Sequence, residues 1–316
     1  MYRNKTVAVV VPAYNEELLI GRVIETMPEY VDFILVVDDC SQDRTGEIVL
    51  GYQRQERRAV ELIRQEVNQG VGGAITTGYK RAVALMVDAT VVMAGDAQMD
   101  PADLPALLDP IVTGECDYTK GNRLFTGNAW KLIPKKRYIG NSILSLLTKI
   151  ASGYWHVADS QSGYTAVGLK VLQTLDLDAV YKRYGMPNDF LVRLNVSGFR
   201  VRDVPIRPVY NIGEKSGIRI GTVMLTLPFL LARLFLWRLK ERYVIRDFHP
   251  LVFFYAFALL LFGLDIPLGI RLGMVWYETG SIPPLNFLTI LFNTTMGVLF
   301  LLFAMWFDMD YNKSLR

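Results

Sequence analysis

The sequence predicts an α/β protein, a mostly parallel sheet flanked by helices, followed by a membrane-associated tail. Three observations carry that prediction. Short β-branched runs alternate with helix-length segments through the first part of the chain. The apolar excess of a 316-residue chain that is 51% hydrophobic gathers at the carboxyl end. One apolar run, Val91-Val92-Met93-Ala94-Gly95, stops at Asp96-Ala97-Gln98-Met99-Asp100-Pro101, and the carboxyl ends of strands are where open α/β sheets bind ligands.

Taken in order, Thr6 to Pro12, Phe33 to Asp38, Val60 to Arg64 and Thr90 to Gly95 read as strands. Glu16 to Met27, Asp43 to Glu56, Gly72 to Val87 and Pro101 to Thr113 read as the helices that follow them. Strands separated by helices of that length imply parallel pairing and helices on both faces. Asp43 or Ser41 suits the N-cap of the second helix, and Pro101 suits a first helical turn. Asp100 reads best as a charge at that helix start. Beyond Cys116 the pattern is mixed, with helices expected at Arg137 to Ala151 and Asp189 to Asn195 and a strand at Phe199 to Val204.

The tail holds two candidate spans. Leu251 to Val275 is apolar apart from Asp265 and Arg271, and Leu285 to Phe307 carries no charge; at about 1.5 Å per residue each can cross ~30 Å of hydrocarbon. Arg238, Lys240, Arg242 and Arg246 precede the first span, Lys313 and Arg316 follow the second, and Trp276 to Pro284 between them has no Lys or Arg. The positive-inside rule then puts the first part of the chain and the tail in the cytoplasm. Thr222 to Trp237 is apolar but short, contains Pro228 and Arg233, and is expected to lie in the membrane interface. Asp265, toward the far end of its span beside Pro267, is better explained by a partner on the neighbouring helix or at the headgroups than by a transport path.

Composition excludes several classes. A net charge of +3 gives no support to nucleic acid as a partner. Cys40 and Cys116 lack metal-ligand spacing, which fits a reducing compartment. No charged segment followed by an apolar stretch precedes Thr6, so no cleavable secretory signal is expected.

Chemistry concentrates at the predicted strand ends: Val9-Val10-Val11-Pro12-Ala13-Tyr14-Asn15-Glu16-Glu17, Val36-Val37-Asp38-Asp39-Cys40-Ser41-Gln42-Asp43, Asn68-Gln69-Gly70-Val71-Gly72-Gly73-Ala74, and the turn with Asp96 and Gln98. Taken singly, these read as turns, caps and solvated carboxylates, and the glycine run lacks the third glycine of a dinucleotide fingerprint because Ile75 stands there. Together and in this order they resemble the family 2 glycosyltransferases, over roughly residues 6 to 210. The two spans and Asp159-Ser160-Gln161-Ser162-Gly163-Tyr164 look, within that family, like the polyprenyl-phosphate glycosyltransferases of the dolichol-phosphate mannosyltransferase type.

The resemblance implies a GT-A nucleotide-diphospho-sugar transferase fold over residues 1–210, juxtamembrane or interfacial helices over 211–248, and two transmembrane helices over 249–316. It implies that Pro12, Tyr14, Glu16, Asp38, Asp39, Gly70 and Gly72 hold the donor nucleotide, UDP- or GDP-linked, and that Asp96 with Gln98 binds Mg²⁺ or Mn²⁺. Asp159 and Asp189 become candidates for gripping sugar hydroxyls, with a structural hydrogen bond equally open for each. Arg123, Arg137 and Asn141 match positions that bind phosphates, Asn141 standing where relatives often have Ser. The implied acceptor is a polyprenyl phosphate in the lipid bilayer, whose second ionisation falls near pH 6, so its oxygen needs no general base. A homo-oligomer stays open.

Two departures stand out. Relatives commonly carry an additional Asp two residues before the metal-binding one, where this chain has Ala94. They also carry an Arg three residues before Gly213, where this chain has Tyr210, which leaves Arg207, Lys215 and Arg219 as candidates for that charge. The rivals are a processive polysaccharide synthase, opposed by the lack of any Gln-x-x-Arg-Trp, and a catalytically dead scaffold, opposed by retention of Asp96, Gln98, Arg123 and Arg137. Lys131, Lys135, Lys136 and Arg137 also suit a basic face drawn to anionic headgroups.

Overall fold

Val-Ala-Val-Val-Val-Pro-Ala, the strand β1 (Val7–Ala13), is buried at every residue. A strand this apolar on both sides is stable only between two helical layers. β1 pairs in parallel with β2 (Phe33–Asp38) and β4 (Ala89–Val92), and β2 pairs in parallel with β3 (Ala59–Arg64). Val7, Val9 and Val11 face α1 (Ile20–Glu25), α2 (Thr45–Arg54) and α4 (Leu104–Val112). Ala8 and Val10 face the other layer, which includes α3 (Val71–Ala84). A computed structural model describes residues 1–55, 59–124, 135–207, 209 and 220–316, and of 135–139, 141 and 220–225 the backbone only.

The sheet continues through β5 (Tyr118–Asn122), α5 (Lys135–Ser152), β6 (Thr165–Gly168), α6 (Leu169–Thr174), α7 (Met186–Val196) and β7 (Val201–Pro205). Strand order is β3-β2-β1-β4-β6-β5-β7. β6 is antiparallel to both β4 and β5, and β5 is parallel to β7. The sheet is therefore mixed, and β5 and β7 run in the same direction as β1 to β4. Neither β5, β6 nor α6 was expected from the sequence, and both strands are short, with Lys120, Gly121 and Asn122 inside β5.

Expected boundaries shift for local reasons. The first helix begins at Ile20 rather than Glu16 because residues 14–19 form a turn in which the Leu19 and Ile20 amides donate to Glu16 O. Regular pairing of β4 ends at Val92, although the Met93 and Gly95 amides still reach Val10 O and Pro12 O. Asp43 accepts from the Thr45 amide and hydroxyl, but the N-cap of α2 is Arg44, without a side-chain capping bond, whereas Asp100 caps the 3-10 turn Pro101–Asp103 by accepting from Ala102 N. α3 packs against β1 so tightly that a Cβ on Gly78 would lie 2.3 Å from Val10 Cγ1.

Contacts divide the chain into two units, Met1–Phe235 with Ser314–Arg316, and Leu236–Lys313. α8 (Ile220–Lys240) is one continuous helix of 21 residues despite Pro228, followed by a π-helical turn, Glu241–Arg246. In the second unit, α9 (Leu251–Thr279) and α10 (Pro284–Tyr311) are long and apolar enough to cross a membrane. Only 17% of the most apolar window of each is buried, unlike the core helices of a soluble protein. Their partners, Phe262 with Gly297 and Phe254 with Phe303, run in opposite order along the two helices, so the pair is antiparallel. Asp265 is the middle residue of α9, not near its far end, and it accepts from Asn293 Nδ2 and Thr294 Oγ1 of α10. Arg238, counted from sequence among the flanking positive charges, is fully buried and bidentate on Asp308 at 2.8 and 3.1 Å, with Tyr243 and Asn312 closing the cluster.

Gly78→Ala should lower stability by about 1–3 kcal/mol, the usual range for an overfilled core. Denaturant or thermal unfolding of the purified protein measures it, and unchanged stability would show that α3 is free to withdraw from β1.

Candidate active site

Four parallel strands end on one edge, and each exit contains a residue with positive φ: Asn15 (57°) after β1, Cys40 (66°) after β2, Gly70 (85°) after β3 and Ala97 (57°) after β4. Left-handed backbone at Cys and Ala costs free energy and persists where surrounding bonds overdetermine it. Those bonds are present. Asn15 N donates to Ser41 Oγ, Gln42 N to Asn15 Oδ1, Glu17 N to Asp43 Oδ2 and Glu16 N to Thr45 Oγ1, which joins the β1 and β2 exits. Asp39 joins the β2 and β3 exits, its carboxylate accepting from Gln69 N at 2.7 Å and Gly70 N at 2.8 Å. Burial raises the Asp39 pKa against those bonds and the Arg183 charge, which oppose the rise.

Asp38 accepts from Ser41 N and lies 3.6 Å from Arg64 Nε. Gly70 and Gly72 serve close approach: a Cβ at either would fall within 2.8 Å or less of the main chain of Tyr181 or Lys182. Their place in the chain thus has a packing cause, docking the start of α3 against the segment before α7. Pro12 lies within β1 opposite Val37, and Tyr14 is exposed beyond it.

Asp96 is half-buried and accepts from Gln98 N at 3.1 Å, while Gln98 O accepts from Val209 N. Burial, then the charges of Asp96 and Asp43, push the Glu16 carboxyl up to about 7. Three acidic groups from the exits of β1, β2 and β4 therefore share one field, which a divalent cation would relieve. Among the described residues, no three His, Cys, Asp or Glu side chains come close enough to hold an ion alone. A cation at Asp96 would take most of its oxygens from a diphosphate, the habit of Mg²⁺ in phosphate sites. The donor set fits such an ion.

The cationic part of this edge begins where β5 ends. Arg123 is clamped by Asp159, with Nε donating to Oδ2 at 2.7 Å and Nη2 to Oδ1 at 3.1 Å. Burial works against the Asp159 charge, but the hydrogen bonds and charge of Arg123, with Lys120, hold its pKa below the ordinary value. Asp159 has no exposed surface, and its oxygens are engaged by Arg123 and by the Gln161 amide. Of the two roles open to it, sugar binding and a structural hydrogen bond, the geometry displays the second, with Asp159 orienting Arg123. Asp189, buried in α7, likewise makes structural hydrogen bonds, accepting from Tyr181 N and Arg193 Nε and fixing the turn before the helix.

Arg207 is exposed, with its amide donating to Asp103 Oδ2. The Arg137 and Asn141 side chains, and Tyr210, Lys215 and Arg219, lie outside the described residues. Lys120, Asp203 and Asn188 were not foreseen; Lys120 and Asn188 are fully buried and Asp203 is half-buried, and the charges of Lys120 and Asp203 act on Asp159 of the Arg123 clamp. Lysine is rarely inside a protein, so nothing in the text Lys120-Gly121-Asn122-Arg123 announces a buried amine.

A model of the family described as Glycosyl transferase family 2 matches residues 8–175. This chain is a family 2 glycosyltransferase. The enzyme is 32% identical over 234 residues to the UDP-N-acetylglucosamine--dolichyl-phosphate N-acetylglucosaminyltransferase of Methanococcus voltae, covering 70% of this chain and 92% of that one. It is 32% identical over 229 residues to the undecaprenyl-phosphate mannosyltransferase of Micrococcus luteus, again covering 70% and 92%. Among solved structures, it matches glucosyl-3-phosphoglycerate synthase from Mycobacterium tuberculosis in complex with Mn²⁺ and UDP-glucose at a TM-score of 0.52 and 21% identity, over 74% of this chain and 79% of that one. At that identity the likeness establishes the GT-A-like α/β fold of this glycosyltransferase. The family match covers β1 through α6, including every strand exit described above and Arg123 with Asp159.

Glu16 provides a pH test. Its proton leaves near pH 7, and a cation favours the ionised form, so cation affinity should rise with pH across that value. Calorimetric titration of Mn²⁺ with UDP or GDP present, at about pH 6 and about pH 8, should show tighter binding at the higher pH, and Glu16→Gln should flatten the difference. A wild-type affinity that does not change with pH would remove Glu16 from the cation's field.

Proposed function

We propose that this glycosyltransferase moves a hexose-type sugar from a UDP- or GDP-linked donor to the phosphate of a dolichyl- or undecaprenyl-type polyprenyl phosphate, inverting the anomeric centre. The carrying observation is that two relatives matched over 70% of the chain are named for polyprenyl-phosphate acceptors while their sugars differ. The shared element is the acceptor.

In this reading Pro12, Tyr14, Glu16 and Asp39, with Asp38 beside it, hold the nucleoside, and Gly70 and Gly72 form the loop beneath the sugar nucleotide. Asp96 and Gln98 would hold Mg²⁺ or Mn²⁺, which would neutralise charge on the departing nucleotide diphosphate. Arg123 and Arg137, with Asn141, Arg207 and Lys215, hold the acceptor phosphate without neutralising its reactive oxygen. At neutral pH that oxygen is already an anion. Its bond to the anomeric carbon forms as the bond from that carbon to the donor's diphosphate breaks, with no covalent enzyme intermediate. A guanidinium fixed by Asp159 is aligned before the acceptor arrives, so less reorganisation accompanies the reaction.

The exposed apolar helices α9 and α10 suit an acceptor confined to a bilayer. The lysine and arginine bias around them supports a cytoplasmic active site and tail. Incubating purified protein with divalent cation, polyprenyl phosphate and radiolabelled sugar nucleotides tests the proposal. Label should enter a chloroform-soluble, mild-acid-labile product, whereas extension of a sugar chain with no lipid product would overturn it. Asp96→Ala should reduce transfer by about a hundredfold or more, the scale of several kcal/mol of lost charge stabilisation; near-normal turnover would refute its role.

A further inference from the structure

Lys120 of β5 and Asp203 of β7 are directly paired in the sheet register. Both support the segment that carries Asp159. Lys120 Nζ donates to Ser162 O at 2.6 Å, and Asp203 Oδ2 accepts from Ala158 N at 2.7 Å and from Asn122 Nδ2 at 3.0 Å. The short loop from Ala158 to Ser162 is thus pinned at both ends by one cross-strand pair. Its second residue, Asp159, clamps Arg123. Its interior is tied on the far side as well, with Gln161 Nε2 donating to Asn188 Oδ1 of α7 and Ser160 bonded to Ser145 Oγ of α5.

The arrangement is a costly way to hold a loop. Burial pushes the Lys120 amine down to about 8 against the opposing charges of Asp159 and Asp203, and pushes the Asp203 carboxyl up to about 6. Asp203 Oδ1 is buried with no hydrogen-bond partner among the described residues. A buried amine and a carboxylate with one buried unpartnered oxygen both cost free energy, so stability alone does not explain the arrangement.

We infer that Lys120 and Asp203 are positioning residues for the transfer reaction, fixing the 158–162 loop so that Asp159 holds the Arg123 guanidinium in the orientation that receives the acceptor phosphate. The inference rests on the proposed role of Arg123 and extends it to two residues that touch no substrate. Second-layer partners of this kind commonly control how well a directly binding group works.

The test uses full-length protein with polyprenyl phosphate and its sugar nucleotide, comparing Lys120→Met, Asp203→Asn, Arg123→Ala and the Lys120→Met/Arg123→Ala double variant. Lys120→Met nearly conserves volume, and Asp203→Asn keeps an oxygen for Ala158 N. Each single variant should raise the acceptor KM about tenfold to a hundredfold, the scale of a misplaced binding group, with donor KM changed less than about twofold and Tm near the wild-type value. Lys120→Arg should recover part of the loss. In the double variant, Lys120→Met should add nothing to Arg123→Ala, because it acts through that residue. Additive losses, or an unchanged acceptor KM in Lys120→Met beside a raised one in Arg123→Ala, would overturn the inference and leave the Arg123 reading intact. An unchanged acceptor KM in Arg123→Ala would overturn both. Should Lys120→Met fail to fold, Asp203→Asn with and without Arg123→Ala gives the same comparison.

Discussion

The site depends on one constraint: β1 to β4, β5 and β7 all run the same way, so their carboxyl ends share an edge. Parallel pairing aligns the exits of β1, β2, β3 and β4 directly. β6 makes the extension possible. Being antiparallel to both β4 and β5, it reverses direction twice and returns β5 to the orientation of β4. Asp96 beyond β4 and Arg123 beyond β5 consequently leave the sheet on the same side.

On that edge, order comes from hydrogen bonds that consume side chains expected to meet ligands. Asp39 ties down the backbone at Gln69 and Gly70, and Asp159 immobilises Arg123. Both carboxylates hold their neighbours on this edge in place. This suits a reaction whose nucleophile is already ionised: with no proton to remove, the protein's task is to place charge, and charge is placed accurately only when its own support is rigid.

Much of this was legible in the sequence, for identifiable reasons. β1, β2 and β4 show as apolar runs because parallel strands are buried on both faces, and α9 and α10 show because their apolar runs are long enough to cross a membrane. β5 and β6 did not show: Lys120 inside β5 looks like an exposed position, and Thr165 to Gly168 is too short to display alternation. Asp159 and Arg123 stand 36 positions apart in the chain, so their pairing arises only from the turn back through β6. Arg238 and Asp308, 70 positions apart, are the same case in the second unit, where a residue read as a flanking charge proves to be neutralised and buried. The glycines at 70 and 72 were seen, but their cause was not, since the Tyr181 to Lys182 backbone they admit is distant in sequence.

Ala94 gains a physical rationale from the same electrostatics. Glu16 already resists ionisation because it is buried and faces Asp96 and Asp43. A further carboxylate two residues before Asp96 would deepen that negative field and raise the cost of holding the turn without a cation. With alanine there, the turn is held by other means: Ala94 N lies 3.3 Å from Met99 Sδ, and Gln98 N bonds Asp96 directly. The departure leaves Asp96 at the β4 exit sharing its field with Glu16, across the edge on the β1 exit, and with Asp43.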